Sequence, residues 1–419
     1  MKNFIIVMLS LAMMACSTTH SIDKRVTEQN YTNVTLTKNV AVSPGAPFEE
    51  PYRFFGDEVS PFLAKLKEER ALNELVDTPN APQIVGNEFD VLVLSGGGER
   101  GAYGAGIVNG LYDNGNLPEF SLVTGVSTGA LTAPFVFAGG EYIHKLKDAM
   151  LALNDGLLDK RGLLWPAYST SMVKGKTFYQ FVEDTYDDDL IEAIAREYNK
   201  GKRLQIGTMH FDSGRQKIWN VGRIASSDLP NKAELIHKIL MASASIPGFF
   251  PPQYFTVYDH GKAYEEMHVD GGLSHQLFFN TYGFDLKSAS EAYGVSGTPN
   301  IYIIRNGFLH NDFKQVENKI LAIGARSIDN LIFSQTLGDL YKEIYLSGTA
   351  NANAYLTNIE KDFDVKTDES KFFDENYMKA LYDYGYDKAK SGQLWTATVK
   401  AGEKIEKRED ELHDEMSVK

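Results

Sequence analysis

Phe89-Asp90-Val91-Leu92-Val93-Leu94, followed by Ser95-Gly96-Gly97-Gly98-Glu99-Arg100-Gly101, is the stretch from which the fold is read. Its first six residues are almost continuously apolar. That is the mark of a strand covered on both faces in a parallel sheet, not of a half-exposed one. Glycines come next, then a helical stretch from Ala102 to Tyr112, then a second short apolar run, Ser121-Leu122-Val123-Thr124. Further strand-like runs lie at 203–208, 216–221, 266–270 and 300–305. Strands alternating with helices predict an α/β fold with a parallel sheet and crossover connections. Beyond about residue 310 the pattern turns helical and polar, with a tyrosine-bearing helix expected over 375–392.

The second run leads into Gly125-Val126-Ser127-Thr128-Gly129. A serine flanked by glycines after a strand fits a sharp strand-to-helix turn that lifts the hydroxyl clear of the backbone, as a nucleophile requires. The small residues after it suit a helix whose positive end favours developing negative charge. The glycine cluster at 96–101 has two chemical readings. Gly96-x-Gly98-x-x-Gly101 satisfies the dinucleotide fingerprint, but the second strand ends in Thr124-Gly125 where that site needs an acid for the ribose. The other reading is an oxyanion hole, in which backbone N–H groups converge at a helix N-terminus. Arg100 either orients this loop through an ion pair or meets an anionic head group.

A serine nucleophile needs a proton acceptor. Val269-Asp270-Gly271-Gly272 sets an aspartate at a strand end with glycines that permit close backbone approach. His268 would share a strand face with Asp270, and His275 also lies near. Either is a third member of the site or, as such histidines more often are, a hydrogen-bonded structural residue.

Together, Gly-Gly-Gly-x-Arg-Gly, Gly-x-Ser-x-Gly, Asp-Gly-Gly and the stretch from Ala242-Ser243-Ala244-Ser245 to Phe249-Phe250-Pro251 resemble the motifs of the patatin-like phospholipase family, in family order. The resemblance covers roughly residues 88–310. It implies a three-layer α/β/α fold and a lipid acyl hydrolase with a Ser–Asp dyad and no histidine. Ser127 is then the nucleophile and Asp270 the base, with Gly96, Gly97, Gly98 and Arg100 framing the oxyanion hole. Gly101, Gly125, Gly129, Gly271 and Gly272 complete the motifs. No cofactor and no metal is implied, and the substrate is a phospholipid or another acyl lipid. Phe249-Phe250-Pro251-Pro252 either walls an acyl groove or forms a rigid turn.

The formal charge of −14 argues against a nucleic-acid partner, because phosphate backbones need a basic face. Lys2, the apolar run from Phe4 to Ala15, and Met13-Met14-Ala15-Cys16 resemble a bacterial lipoprotein signal. That resemblance implies lipidation at Cys16, a membrane anchor, and a place in the cell envelope as an outer-membrane lipoprotein. With Cys16 the sole cysteine, there is no intramolecular disulfide. The expected organisation is a signal over 1–15, a tether over 16–58, a helix packing on the core over 59–87, the catalytic domain over 88–310 and a mainly helical extension over 311–419. Three alternatives stay open: a Ser-His-Asp hydrolase using a late histidine such as His310, a nicotinamide-dependent oxidoreductase, and a decayed, non-enzymatic lipoprotein.

Overall fold

The computed structural model describes residues 20, 24–38, 51–58, 89–160, 170–279, 286, 290, 295, 297–311, 313–392, 394–395 and 397–399. The signal with Cys16, the helix expected within 59–87 and the charged tail from Glu403 lie outside these residues.

Among the described residues ten strands form one sheet: β1 (Arg53–Phe55), β2 (Asp90–Leu94), β3 (Leu122–Gly125), β4 (Arg203–His210), β5 (Arg215–Asn220), β6 (Gln253–Asp259), β7 (Lys262–Asp270), β8 (Asn300–Arg305), β9 (Asn353–Asn358) and β10 (Ala397–Val399). The order is β1-β5-β4-β3-β2-β8-β9-β10, with β7 added to β4 and β6 to β7. The central five, β4-β3-β2-β8-β9, are parallel. The strands added at either side are antiparallel.

The helices are α1 (Gly101–Asp113), α2 (Thr128–Ala138), α3 (Tyr142–Leu151), α4 (Lys176–Thr185), α5 (Asp188–Asn199), α6 (Val221–Ala225), α7 (Lys232–Ser243), α8 (Ile320–Thr349) and α9 (Glu375–Lys390). They cover both faces of the sheet. Leu92 and Leu94 of β2 join the core shared with α1, α2, α5, α7 and α9. Val91 and Val93, pointing the other way, join a second core with Ile301, Ile303 and Leu340 of α8. A strand with an apolar layer on each side has no polar face, which is why the opening run is unbroken.

Two expected boundaries need correction. Much of the described part of 16–58 is docked, not a free tether. Phe54 and Phe55 of β1 are buried, β1 pairs with β5, and Val26 and Val34 pack on Val257. Arg25 and Thr35 make single bridges to Glu265 and Tyr258, and the apolar Phe54 and Phe55 dock β1 at the sheet edge. The region beyond 310 is helical as expected, yet it is integral to the core. β9 extends the parallel sheet beside β8, and α9 lies so close on α1 that a Cβ at Gly106 would stand 2.1 Å from the Tyr382 carbonyl oxygen.

Candidate active site

Strand register brings the serine and the aspartate together. β3 runs parallel to β4 and ends at Gly125, opposite Ile206. β7 runs antiparallel to β4 and ends at Asp270, opposite Thr208. The other edge of β4 is taken by β5. β3 and β7 therefore share one edge of β4 and meet head-on, so that Ser127, two residues past the tip of β3, reaches the level of Asp270.

Ser127 has φ 52° and ψ −126°, a conformation uncommon for a residue with a Cβ. Holding it costs on the order of 1–3 kcal/mol. The turn is held by its neighbours. The Ser127 N–H donates to Ser243 Oγ at 3.0 Å, and Ser243 Oγ donates to the Gly207 carbonyl at 2.7 Å. Gly129 permits the tight passage of α2 over β2, since a Cβ there would stand 2.3 Å from the Leu94 carbonyl oxygen. Backbone cannot yield to that contact. Gly129→Ala is expected to lower stability by about 3 kcal/mol, read by urea unfolding.

Ser127 is the N-cap of α2, but its hydroxyl caps nothing. Instead Oγ donates to Asp270 Oδ2 at 2.7 Å, and Asp270 Oδ1 accepts the Gly272 N–H at 2.7 Å. The Asp270 N–H donates to the Ser245 carbonyl, so the segment carrying Ser243 and Ser245 ties both residues down. Burial pushes the Asp270 carboxyl up to about 7, against the hydrogen bonds from Ser127 and Gly272, which lower it. A carboxylate so placed is a far better base than an exposed one.

The glycine loop follows β2 and carries Gly98 at φ 59°, where glycine is favoured. Its three glycines are not equivalent. The Gly96 N–H donates to the Gln276 carbonyl at 3.1 Å and is engaged there, while Gly96 itself lies against Ser127. The Gly96 carbonyl accepts from Arg305 Nη1 at 2.9 Å. Because a peptide's N–H points opposite to its C=O, this bond turns the Gly97 N–H away from Arg305. Gly98 lines the same cavity as Ser127. Arg100 makes no ion pair among the described residues, and its Nε donates to the Gly97 carbonyl at 3.3 Å. Gly101 opens α1 against Thr128, Gly125 closes β3 against Gly129, and Gly271 lies against the Gly207 carbonyl.

The residues that hold this loop carry little sign of that role in the sequence. Asn306 donates from its backbone to Ser95 Oγ and from its side chain to the Ser95 carbonyl, at 2.8 and 2.9 Å. Gln276 also donates from its side chain to the Gly272 carbonyl at 2.7 Å, and its own N–H is held by Asp339 at 2.7 Å. One signal existed: Arg305 ends a predicted strand, where loops of a parallel sheet converge. Arg305→Met is expected to lower kcat by roughly 10- to 100-fold with KM little changed, read on a soluble ester.

No histidine bonds to Ser127 or Asp270 among the described residues. His268 is buried, with Nδ1 2.9 Å from Thr208 Oγ1 and Nε2 3.3 Å from Glu266 Oε2. It is a structural residue. His210, Glu266 and His268 bring ligand-type atoms within 4.8 Å of one another. The Glu266 carboxylate is, however, already clasped by Arg53. Burial drives it up, but Arg53 and His268 outweigh this and hold it well below the usual carboxylate range.

Residues 92–280 match the family model of the patatin-like phospholipases. The chain carries a patatin-like phospholipase domain. A domain of this family supports a lipid acyl hydrolase, a kind of ester hydrolase. Comparison with curated proteins finds no significant match. Among solved structures, VipD from Legionella pneumophila is similar at 14% identity and a TM-score of 0.38, over 79% of this chain and 74% of that one. ExoU of the Pseudomonas aeruginosa type III secretion system, solved with SpcU, is similar at 13% identity and a TM-score of 0.34, over 75% of this chain. The chain spans 54% of the length of ExoU. Among the described residues no helix is long and apolar enough to cross a membrane.

Proposed function

We propose that this protein cleaves the ester bonds of phospholipids or other acyl lipids through a Ser127–Asp270 dyad and an acyl-enzyme. The observation that carries the reading is the 2.7 Å hydrogen bond from Ser127 Oγ to a buried carboxylate, beside a glycine loop. Ser127 Oγ attacks the ester carbonyl carbon and its proton passes to Asp270. The oxyanion that forms is met by the N–H groups of Gly97 and Gly98. The intermediate collapses, and Asp270 gives the proton to the departing alcohol or lysolipid. Water then gives a proton to Asp270 and attacks the acyl-serine. The fatty acid leaves as Ser127 recovers its proton.

The test is a panel of phospholipids and neutral acyl esters, with products identified, on wild type and Ser127→Ala. Ser127-dependent release of fatty acid supports the reading, and release at the wild-type rate by Ser127→Ala overturns it. A Ser-His-Asp site would need a histidine near Asp270, and the bonding partners of His268 disfavour it. Anchoring is part of the same proposal. Cys16 holds the chain on the outer membrane of the envelope, so metabolic labelling with palmitate should mark the wild type and not Cys16→Ser.

A further inference from the structure

Beside Ser127 lies an apolar cavity of about 30 Å³, lined by Gly98, Leu131, Phe250, Phe372 and Phe373 among others. That is room for roughly two waters, or the first two or three carbons of an acyl chain. Phe372 and Phe373 come from far beyond the matched 92–280, in the strap between β9 and α9. The Phe372 ring stacks on Phe249, with centroids 3.8 Å apart and planes 11° apart. The Phe373 ring is parallel to Phe178 within 9°.

This wall is fixed at its backbone. Asp155 Oδ1 accepts the N–H groups of both Phe372 and Phe373, at 3.0 and 2.9 Å. Glu99 Oε2 accepts the Asp374 N–H, and Oε1 accepts the Thr367 hydroxyl, each at 2.9 Å. Glu99 belongs to the glycine loop itself, so the loop facing Ser127 also holds the strap that lines the cavity.

We infer that Phe372 and Phe373 wall the acyl side of this site and set its chain-length preference. The inference rests on the acyl-hydrolase reading of Ser127. Their rings stand against the cavity and are held by stacking on one side and by carboxylates on the other. The wall an acyl chain meets beside Ser127 is therefore drawn in part from outside the matched domain.

The experiment measures kcat/KM of the full chain on p-nitrophenyl acetate, butyrate and decanoate. Phe372→Ala and Phe373→Ala should each raise the decanoate-to-butyrate ratio by about tenfold. Phe373→Trp, which fills the cavity further, should move preference toward acetate. Opposite shifts from smaller and larger rings do not arise from general loss of structure. Should an alanine variant fail to fold, Phe372→Leu and Phe373→Trp carry the test. An unmoved decanoate-to-butyrate ratio alongside intact Ser127-dependent activity overturns the chain-length role alone. Absence of Ser127-dependent hydrolysis of every ester overturns the acyl-hydrolase reading and the inference with it.

Discussion

Ser127→Ala is expected to lower kcat/KM on a soluble ester such as p-nitrophenyl butyrate by ~10⁴-fold or more. The variant loses the atom that forms the acyl-enzyme, and no neighbouring group is set to replace it. Ser243 Oγ is committed to the Gly207 carbonyl and accepts the Ser127 N–H, so it cannot serve as a substitute nucleophile. Folding should survive, because the turn is held through the backbone N–H of residue 127 and the surrounding packing. Alanine at φ 52° carries much the same strain as serine. Thermal unfolding close to that of wild type, beside lost turnover, separates loss of chemistry from loss of structure. A variant that keeps a tenth of the wild-type rate would show that hydrolysis takes place elsewhere.

Asp270→Asn is expected to lower kcat by about 10²- to 10⁴-fold, the range ascribed to a positioned general base. The asparagine carbonyl can still accept from Ser127 and the Gly272 N–H, so geometry is kept while proton affinity is lost. Burial raises the Asp270 carboxyl to about 7, and only the ionised form takes a proton from Ser127. The rate of wild type should therefore climb as pH rises through about 7 and flatten above it. Asp270→Asn should lose that limb. Stability follows the opposite sign. With the folded value raised above ~3.9, the folded state holds a proton that the unfolded state has released, so Asp270 contributes less stability as pH rises from about 4 to 7. At pH 8 the asparagine variant, free of a buried charge, should unfold no earlier than wild type. A wild-type rate that is flat from pH 5 to 9 would contradict the assignment.

The parts of the site legible in the sequence are those made by local chain geometry. Gly125-Val126-Ser127-Thr128-Gly129 declares a turn because its glycines admit the close contact between Gly129 and Leu94. The run Val91 to Leu94 declares a doubly covered strand because it has no polar face. Asp270 was readable as a strand end followed by glycines. Gln276, Asp339, Arg305 and Asn306 were not readable. Each acts through a bond to a residue far away in the chain, and a polar residue after a strand carries no sign of where it will point. The segments 24–38 and 51–58 misled for a related reason. Single bridges and a short edge strand leave no period in the sequence, so the chain reads as linker until its partners are known.

By itself the sequence determined the α/β class, the serine in its turn, the aspartate at its strand end and the family motifs, since each is written in residues adjacent in the chain. The tertiary structure decided the rest. The head-on meeting of β3 and β7 along one edge of β4 makes Ser127 and Asp270 partners, because register can be set only between paired strands. It set the Gly96 N–H against the Gln276 carbonyl. It also carried Phe372 and Phe373 from the C-terminal region to the side of Ser127. Packing of that kind depends on three-dimensional distance, to which separation along the chain is no guide.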